Sequence, residues 1–231
     1  MSESYRDDLR SLDLFRNMQR ANFDSLMRAA YVQNFPPRID LIHEGDTPDF
    51  LHVVLTGSVD LFSTWNGRET SMATVRPVST FILAASVKDA PYLMSARTLE
   101  KSRIVLLPSE DVRAIFDIDH DFARAIVTEL AQCYRAVVKN TKDLKLRSSL
   151  ERLANYLLRE RGREGADAFT LRMEKRRLAS SLGMTPENLS RAFKALEAYG
   201  VQVTGTQITL MDPEDLSGFA KPSPLIDGRN T

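Results

Sequence analysis

Hydrophobic spacing divides this chain into stretches of different period. Over the first thirty or so residues, Leu12, Leu14, Phe15, Phe23, Leu26 and Met27 recur at helical intervals. Between about residues 35 and 110, short apolar-alternating runs are interrupted by turn residues every eight to twelve positions or so, which predicts a β-sandwich or roll. Residues 41–46 lead into a turn at Thr47-Pro48-Asp49, and 50–55 and 56–62 follow as strands. Asn66-Gly67 marks a hairpin, and 95–99 and 102–107 repeat the alternation until Pro108 ends it. From near Asp119 to about Arg147 the period returns to that of a helix, with no proline or glycine to break it.

That long helix carries a heptad pattern. With a at 123, 130, 137 and 144 and d at 126, 133 and 140, the seam reads Ala123, Ile126, Leu130, Cys133, Val137, Asn140 and Leu144. This predicts a parallel two-stranded coiled coil and hence a homodimer, in which Asn140 would fix register at a cost in stability. For the first half of the helix the stripe has a second use, packing against its own β-domain.

The C-terminal third changes period again. Residues 175–184 form a short amphipathic helix that ends at Gly183, and a second helix opens at Thr185-Pro186-Glu187. Thr185 is a natural N-cap, Pro186 fits the first turn, and Glu187 lies near the positive end of the helix dipole. Glu187, Ser190 and Arg191 stand at i, i+3 and i+4 and so share one face, while Leu189, Phe193 and Leu196 turn to a core. Two short strands at 201–203 and 207–210 then flank the turn Thr204-Gly205-Thr206. Helix, glycine turn, capped helix and hairpin make a winged helix-turn-helix. Glu, Ser and Arg side chains on one face suit base edges in a major groove, which makes double-stranded DNA the expected partner. Thr185, Lys175, Arg176 and Arg177 are the candidates for phosphate contact.

Charge adds a modest bias. The whole chain is neutral, with 31 basic and 31 acidic residues. Residues 141–200 nevertheless hold thirteen Lys and Arg against eight Asp and Glu, a surplus of five on the segment with the helix-turn-helix. The single cysteine, Cys133, excludes an intrachain disulfide and any cysteine-built metal or iron–sulfur site from one chain. No apolar run approaches a bilayer span and the first fifteen residues do not read as a signal peptide, so no membrane partner and a cytoplasmic location are expected. Neither a Gly-rich phosphate loop nor paired metal-ligand spacing is present. No catalytic residue and no metal ligand is assigned, and the chain does not read as an enzyme.

The order of β-roll, long helix and winged helix-turn-helix resembles the CRP/FNR superfamily of bacterial transcription regulators over nearly the whole chain. The resemblance rests on Glu44-Gly45-Asp46 with 55–59, on 178–187, and on Leu189-Ser190-Arg191 with Leu196-Glu197 and Gly200. It implies an α+β chain: a cyclic-nucleotide-binding-like β-roll at 1–118 with N-terminal helices, a dimerisation helix at 119–147, a winged helix-turn-helix at 148–218, and a flexible tail at 219–231. RNA polymerase is the further partner it implies. Glu187, Ser190 and Arg191 match the Glu-x-x-Ser-Arg pattern of the FNR-like branch, whereas Pro186 replaces an arginine typical of the CRP-like branch. This implies a palindrome of TTGAT-like half-sites. Arg191 can donate twice to guanine and Glu187 can accept from cytosine.

The effector region departs from the family. Cyclic-nucleotide-binding members carry Phe-Gly-Glu and, about ten residues on, Arg-Ser or Arg-Thr. Here the matching positions read Phe81-Ile82-Leu83-Ala84-Ala85 and Asp89-Ala90-Pro91-Tyr92-Leu93. Leu83, Ala84, Ala85 and Tyr92 therefore line a degenerate effector pocket, and no arginine meets a phosphate unless Arg97 leaves its strand. A buried phosphate without a cation would lack its main compensating interaction, so cAMP is disfavoured. The cofactor is left unknown. Haem held by His43, His52 or His120, redox control through Cys133, and no effector at all remain open, with each histidine more simply read as a surface or hydrogen-bonded residue. The alternative function is a metabolite- or cyclic-nucleotide-binding regulatory module with little DNA specificity.

Overall fold

The structure, a computed structural model, describes residues 3–228. It divides into two compact units, 1–132 and 133–231. The first opens with helices α1 (Glu3–Ser11), α2 (Asp13–Arg16) and α3 (Arg20–Ala29). Eight strands follow: β1 (Tyr31–Phe35), β2 (Asp40–Ile42), β3 (Phe50–Thr56), β4 (Val59–Trp65), β5 (Arg68–Val75), β6 (Ser79–Phe81), β7 (Ser95–Thr98) and β8 (Ser102–Pro108). They form two four-stranded sheets in the orders β1-β8-β3-β6 and β2-β7-β4-β5. The short helix α4 (Leu83–Lys88) lies between β6 and β7, and α5 (Ser109–Phe116) follows β8.

The alternating pattern predicts strands with one buried face, but β3 and β8 bury both. Val54 and Ile104 join Ile42, Val59, Leu61, Val75, Phe81, Tyr92 and Ala96 in the core inside the roll. Leu51, Val53, Leu55, Val105 and Leu107 point the other way, into a second core built with Phe15, Phe23, Leu26, Val112, Phe122 and Ile126 from the helices. The strands thus lie between a sheet and a helical layer, and an even-numbered polar residue such as His52 is enclosed with the rest. At the far end of β4 the turn Asn66-Gly67 leaves Trp65, the chain's one tryptophan, 80% exposed.

The long helix α6 runs His120–Leu146, close to the expected span. Asp119 sets its start: the carboxylate accepts from the Phe122 N–H at 3.0 Å, and from the Gln19 N–H and the Asn22 amide at 2.9 Å each. Burial opposes ionisation of this carboxyl, but these donors prevail and hold it below the usual carboxylate range. The helix corrects the predicted seam. Ile126 is fully buried in the roll's helical core and Leu130 packs against it, so neither is an open interface position at the start of the helix. Of the predicted seam, Val137 and Leu144 are exposed, at 63 and 42%, and so are Val127 and Tyr134 outside it, at 59 and 70%. Cys133 and Asn140 are exposed beside that stripe.

The second unit continues from α6 into α7 (Ser149–Glu164), opened by a reciprocal capping box between Ser148 and Glu151. Then come β9 (Ala168–Thr170), α8 (Lys175–Ser181), α9 (Pro186–Leu196), a 3₁₀ turn, β10 (Val201–Thr204), β11 (Gln207–Leu210), α10 (Pro213–Ala220) and α11 (Pro224–Asp227). The three strands pair antiparallel in the order β10-β11-β9, so the expected hairpin gains a third strand. Residues 219–228 also depart from a flexible tail. They complete α10, form α11, and anchor Asp227 to Arg147 and Arg159.

Candidate nucleic-acid interface

Helices α8 and α9 are joined by a turn whose Gly183 has φ +62°. A side chain there would meet both left-handed strain and the Leu144 Cδ2 atom, 2.7 Å from an added Cβ. Leu144 thus packs on the turn of its own chain. Thr185 caps α9 as its sequence predicts, accepting from the Asn188 N–H at 3.2 Å. The same hydroxyl is hydrogen-bonded to the Glu187 carboxylate, and Lys175 and Arg176 are exposed. Lys175 extends over the Phe193 ring, 5.8 Å from its centroid, whereas Arg177 is half-buried.

Leu189, Ala192, Phe193 and Leu196 enter the core of this unit, and Glu187, Ser190 and Arg191 face solvent. The expected division of faces is present. Three contacts shape the exposed one. The Glu187 carboxyl is held below the usual range by its own backbone N–H, by the Thr185 hydroxyl and by the charge of Arg191. The Ser190 hydroxyl donates to the Pro186 carbonyl at 3.1 Å. The Arg191 guanidinium donates to the Asn188 Oδ1. Sequence reasoning missed Asn188, although its i, i+3 spacing to Arg191 was readable.

It also missed Arg152. This α7 residue, 8% exposed, donates to the Leu182 and Gly183 carbonyls at 2.8 and 3.3 Å and to the Arg147 carbonyl at 2.7 Å. One guanidinium therefore serves both the carbonyl end of α8 and the residue just after α6, where it complements the negative end of each helix dipole.

Two of the four residues expected to line an effector pocket are core side chains. Leu83 is buried in the helical core and Tyr92 in the roll core, its hydroxyl donating to the Phe50 carbonyl at 3.2 Å. Ala85 is partly buried against the same core, and Ala84 is exposed. A cavity of about 300 Å³ in this unit is lined instead by Tyr31, Asp49, Asp89, Ser109, Glu110 and Arg113 among others. Arg97 keeps its strand position, with the Asp40 carboxylate 2.6 Å and that of Glu69 3.2 Å away. Of the surface and hydrogen-bonded readings His52 takes the second: it is buried, hydrogen-bonded to the Phe50 backbone and stacked on Phe81 at 4.9 Å between centroids, and burial pushes its imidazole down to about 4. His43 and His120 are exposed. Among the described residues there is no cluster of three or more metal-ligating side chains, and no helix is long and apolar enough to cross a membrane.

Comparison with known proteins matches a cyclic nucleotide-binding domain over residues 32–119 and a Crp-like helix-turn-helix domain over residues 151–219. In both of its units the chain is thus similar to regulators of the CRP/FNR superfamily. It is 28% identical over 213 residues to the transcriptional regulator flp of Lacticaseibacillus casei, covering 90% of this chain and 95% of that one. A solved regulatory protein of Silicibacter pomeroyi, described as cAMP-binding, shares 26% identity with a TM-score of 0.57, over 96% of this chain and all of that one. FixK2 of Bradyrhizobium japonicum shares the fold, with a TM-score of 0.68 at 23% identity, over 84% of this chain and 98% of its own. The flp relative is named as a transcriptional regulator, and residues 151–219 match the helix-turn-helix by which Crp-like regulators bind DNA.

Proposed function

We propose that the chain acts as a homodimer that reads a palindrome of TTGAT-like half-sites, with Arg191 on guanine, Glu187 on the paired cytosine and Ser190 beside a thymine. The observation that carries this reading is α9 itself, capped at Thr185, buried along Leu189, Phe193 and Leu196, and open along Glu187, Ser190 and Arg191. Lys175 and Arg176 supply phosphate contacts. The exposed stripe Val127, Tyr134, Val137 and Leu144 supports pairing through α6, because two half-sites about one DNA turn apart call for two reading helices. RNA polymerase is the partner through which such a dimer acts.

The effector is not a cyclic nucleotide in this reading, although the Silicibacter pomeroyi relative is described as cAMP-binding. Positions 83 and 92 are core side chains, and Arg97 is committed to Asp40 and Glu69. Haem gains no support either, since the three histidines include one buried against Phe81 and two exposed. In a gel-shift titration on a TTGAT palindrome, Glu187→Ala and Arg191→Ala should each weaken binding about 10- to 100-fold, the value of one good base contact. Unchanged affinity in both variants defeats the base-reading assignment. Calorimetry with cAMP should show no heat of binding, and saturable binding would restore the cyclic-nucleotide reading.

A further inference from the structure

Asp227 lies 80 residues beyond Arg147 in the chain, yet the two form a bidentate pair, Nη1 to Oδ1 at 2.9 Å and Nη2 to Oδ2 at 2.6 Å. Arg159 Nη1 donates to the same Oδ1 at 2.7 Å, and the Ser223 N–H to Oδ2 at 2.8 Å. Arg147 also pairs with Asp143 at 2.9 Å. The side chains of Arg147, Asp227 and Asp143 are only 7, 10 and 12% exposed, and with Arg159 the cluster holds two positive and two negative groups. One step further on, Lys139 Nζ donates to the Gly228 carbonyl at 2.8 Å.

The placement of these partners matters more than their number. Asp143 and Lys139 belong to α6, Arg147 follows its last residue, Ser148 caps α7, and Arg159 sits in the body of α7. A carboxylate from the distal end of the chain therefore bridges the two helices across a two-residue elbow. The elbow's own backbone is held only from its two helices, the Arg147 N–H donating to the Asp143 carbonyl at 3.3 Å, the Ser148 carbonyl accepting from the Arg152 N–H at 3.0 Å and the Arg147 carbonyl accepting from the Arg152 side chain, whereas Asp227 adds a tie from outside both helices. A bridge of charge-assisted bonds across it is what turns a joint into a fixed angle.

We propose that residues 221–228 are a strap that sets the angle between the end of α6 and α7, and that opening the Asp227 clasp lets the helix-turn-helix swing on the elbow at 147–148. Removing the Asp227 carboxylate takes the ion-pair partner from Arg159 and leaves Arg147 with Asp143 alone, an excess of buried positive charge that favours an opened arrangement in which water solvates the guanidinium groups. The strap's influence on DNA rests on the reading face proposed above. Its effect on the elbow does not.

Arg147 is itself a trypsin site, shielded while clasped. Limited tryptic digestion of the full chain, mapped by mass spectrometry, should cut after Arg147 at least about tenfold faster in Asp227→Asn and in a chain ending at Pro222 than in wild type, the change expected if a clasp worth a factor of ten is lost. Cleavage within residues 149–220 should stay at the wild-type rate. Equal cutting after Arg147 in all three chains overturns the strap. So does accelerated cutting throughout 149–220, since the segment would then be a part of the domain core and not a clamp on its joint. With the palindrome, Asp227→Asn should bind about tenfold more weakly although Glu187 and Arg191 are intact. A faster cut at Arg147 with unchanged affinity would confine the strap to the elbow and remove its role in DNA reading, whereas failure of the base-reading assignment would show only in the Glu187 and Arg191 variants.

Discussion

Asn188 holds the guanidinium of Arg191 from one turn away, so the side chain proposed to meet guanine is partly oriented before any DNA arrives. Asn188→Ala should therefore leave the fold intact and weaken operator binding by a few-fold, less than Arg191→Ala, in the same gel-shift titration. A loss as large as that of Arg191→Ala would mean that Asn188 contacts DNA itself. Arg152 presents the opposite case, a charge with no exposed role. Arg152→Met should lower unfolding stability by about 3 kcal/mol in urea titrations followed by circular dichroism, because three carbonyls lose a charged donor. The face of α9 was legible because cap, proline and 3.6-residue spacing are local signals. Arg152 was not, since its acceptors at 182 and 183 lie thirty residues away and nothing nearby marks them.

For helix α6, two heptad assignments share positions 130, 137 and 144, and periodicity alone cannot choose between 126, 133, 140 and 127, 134, 141 as the other set. Packing chooses. Ile126 is consumed by the roll's helical core, and Val127 and Tyr134 are left outside. Val137→Glu together with Tyr134→Glu should convert a dimer to monomer in sedimentation velocity, whereas Ile126→Ala should leave the oligomer intact and cost about 2–5 kcal/mol of stability through a core cavity. Dissociation by Ile126→Ala with no loss of stability would return the seam to its sequence-predicted register. The roll's strands were readable from alternation, but the double burial of β3 and β8 was not, because a strand enclosed on both faces alternates between two cores and not between core and water. The same enclosure turned Leu83 and Tyr92 from expected pocket lining into core.

Across the whole molecule, burial of His52 ties stability to pH. Its imidazole titrates near 6.5 in the unfolded chain but is pushed down to about 4 when folded, so the unfolded state takes up the proton first. The stability from its neutral burial is complete above about pH 6.5 and drains on the order of 3 kcal/mol as pH falls toward 4. Asp119 and Asp227, held below the usual carboxylate range, add their own losses only at still lower pH. Urea midpoints by circular dichroism at pH 7.5 and 5 should thus differ in wild type and converge in His52→Gln. An undiminished difference in that variant would assign the acid sensitivity elsewhere. The exposed hairpin tip carries a further consequence, for spectroscopy. With its one indole already in water at the end of β4, the native protein should emit at nearly the wavelength of its unfolded chain, so tryptophan fluorescence will be almost blind to unfolding and, for the same reason, a clean reporter of whatever covers that hairpin.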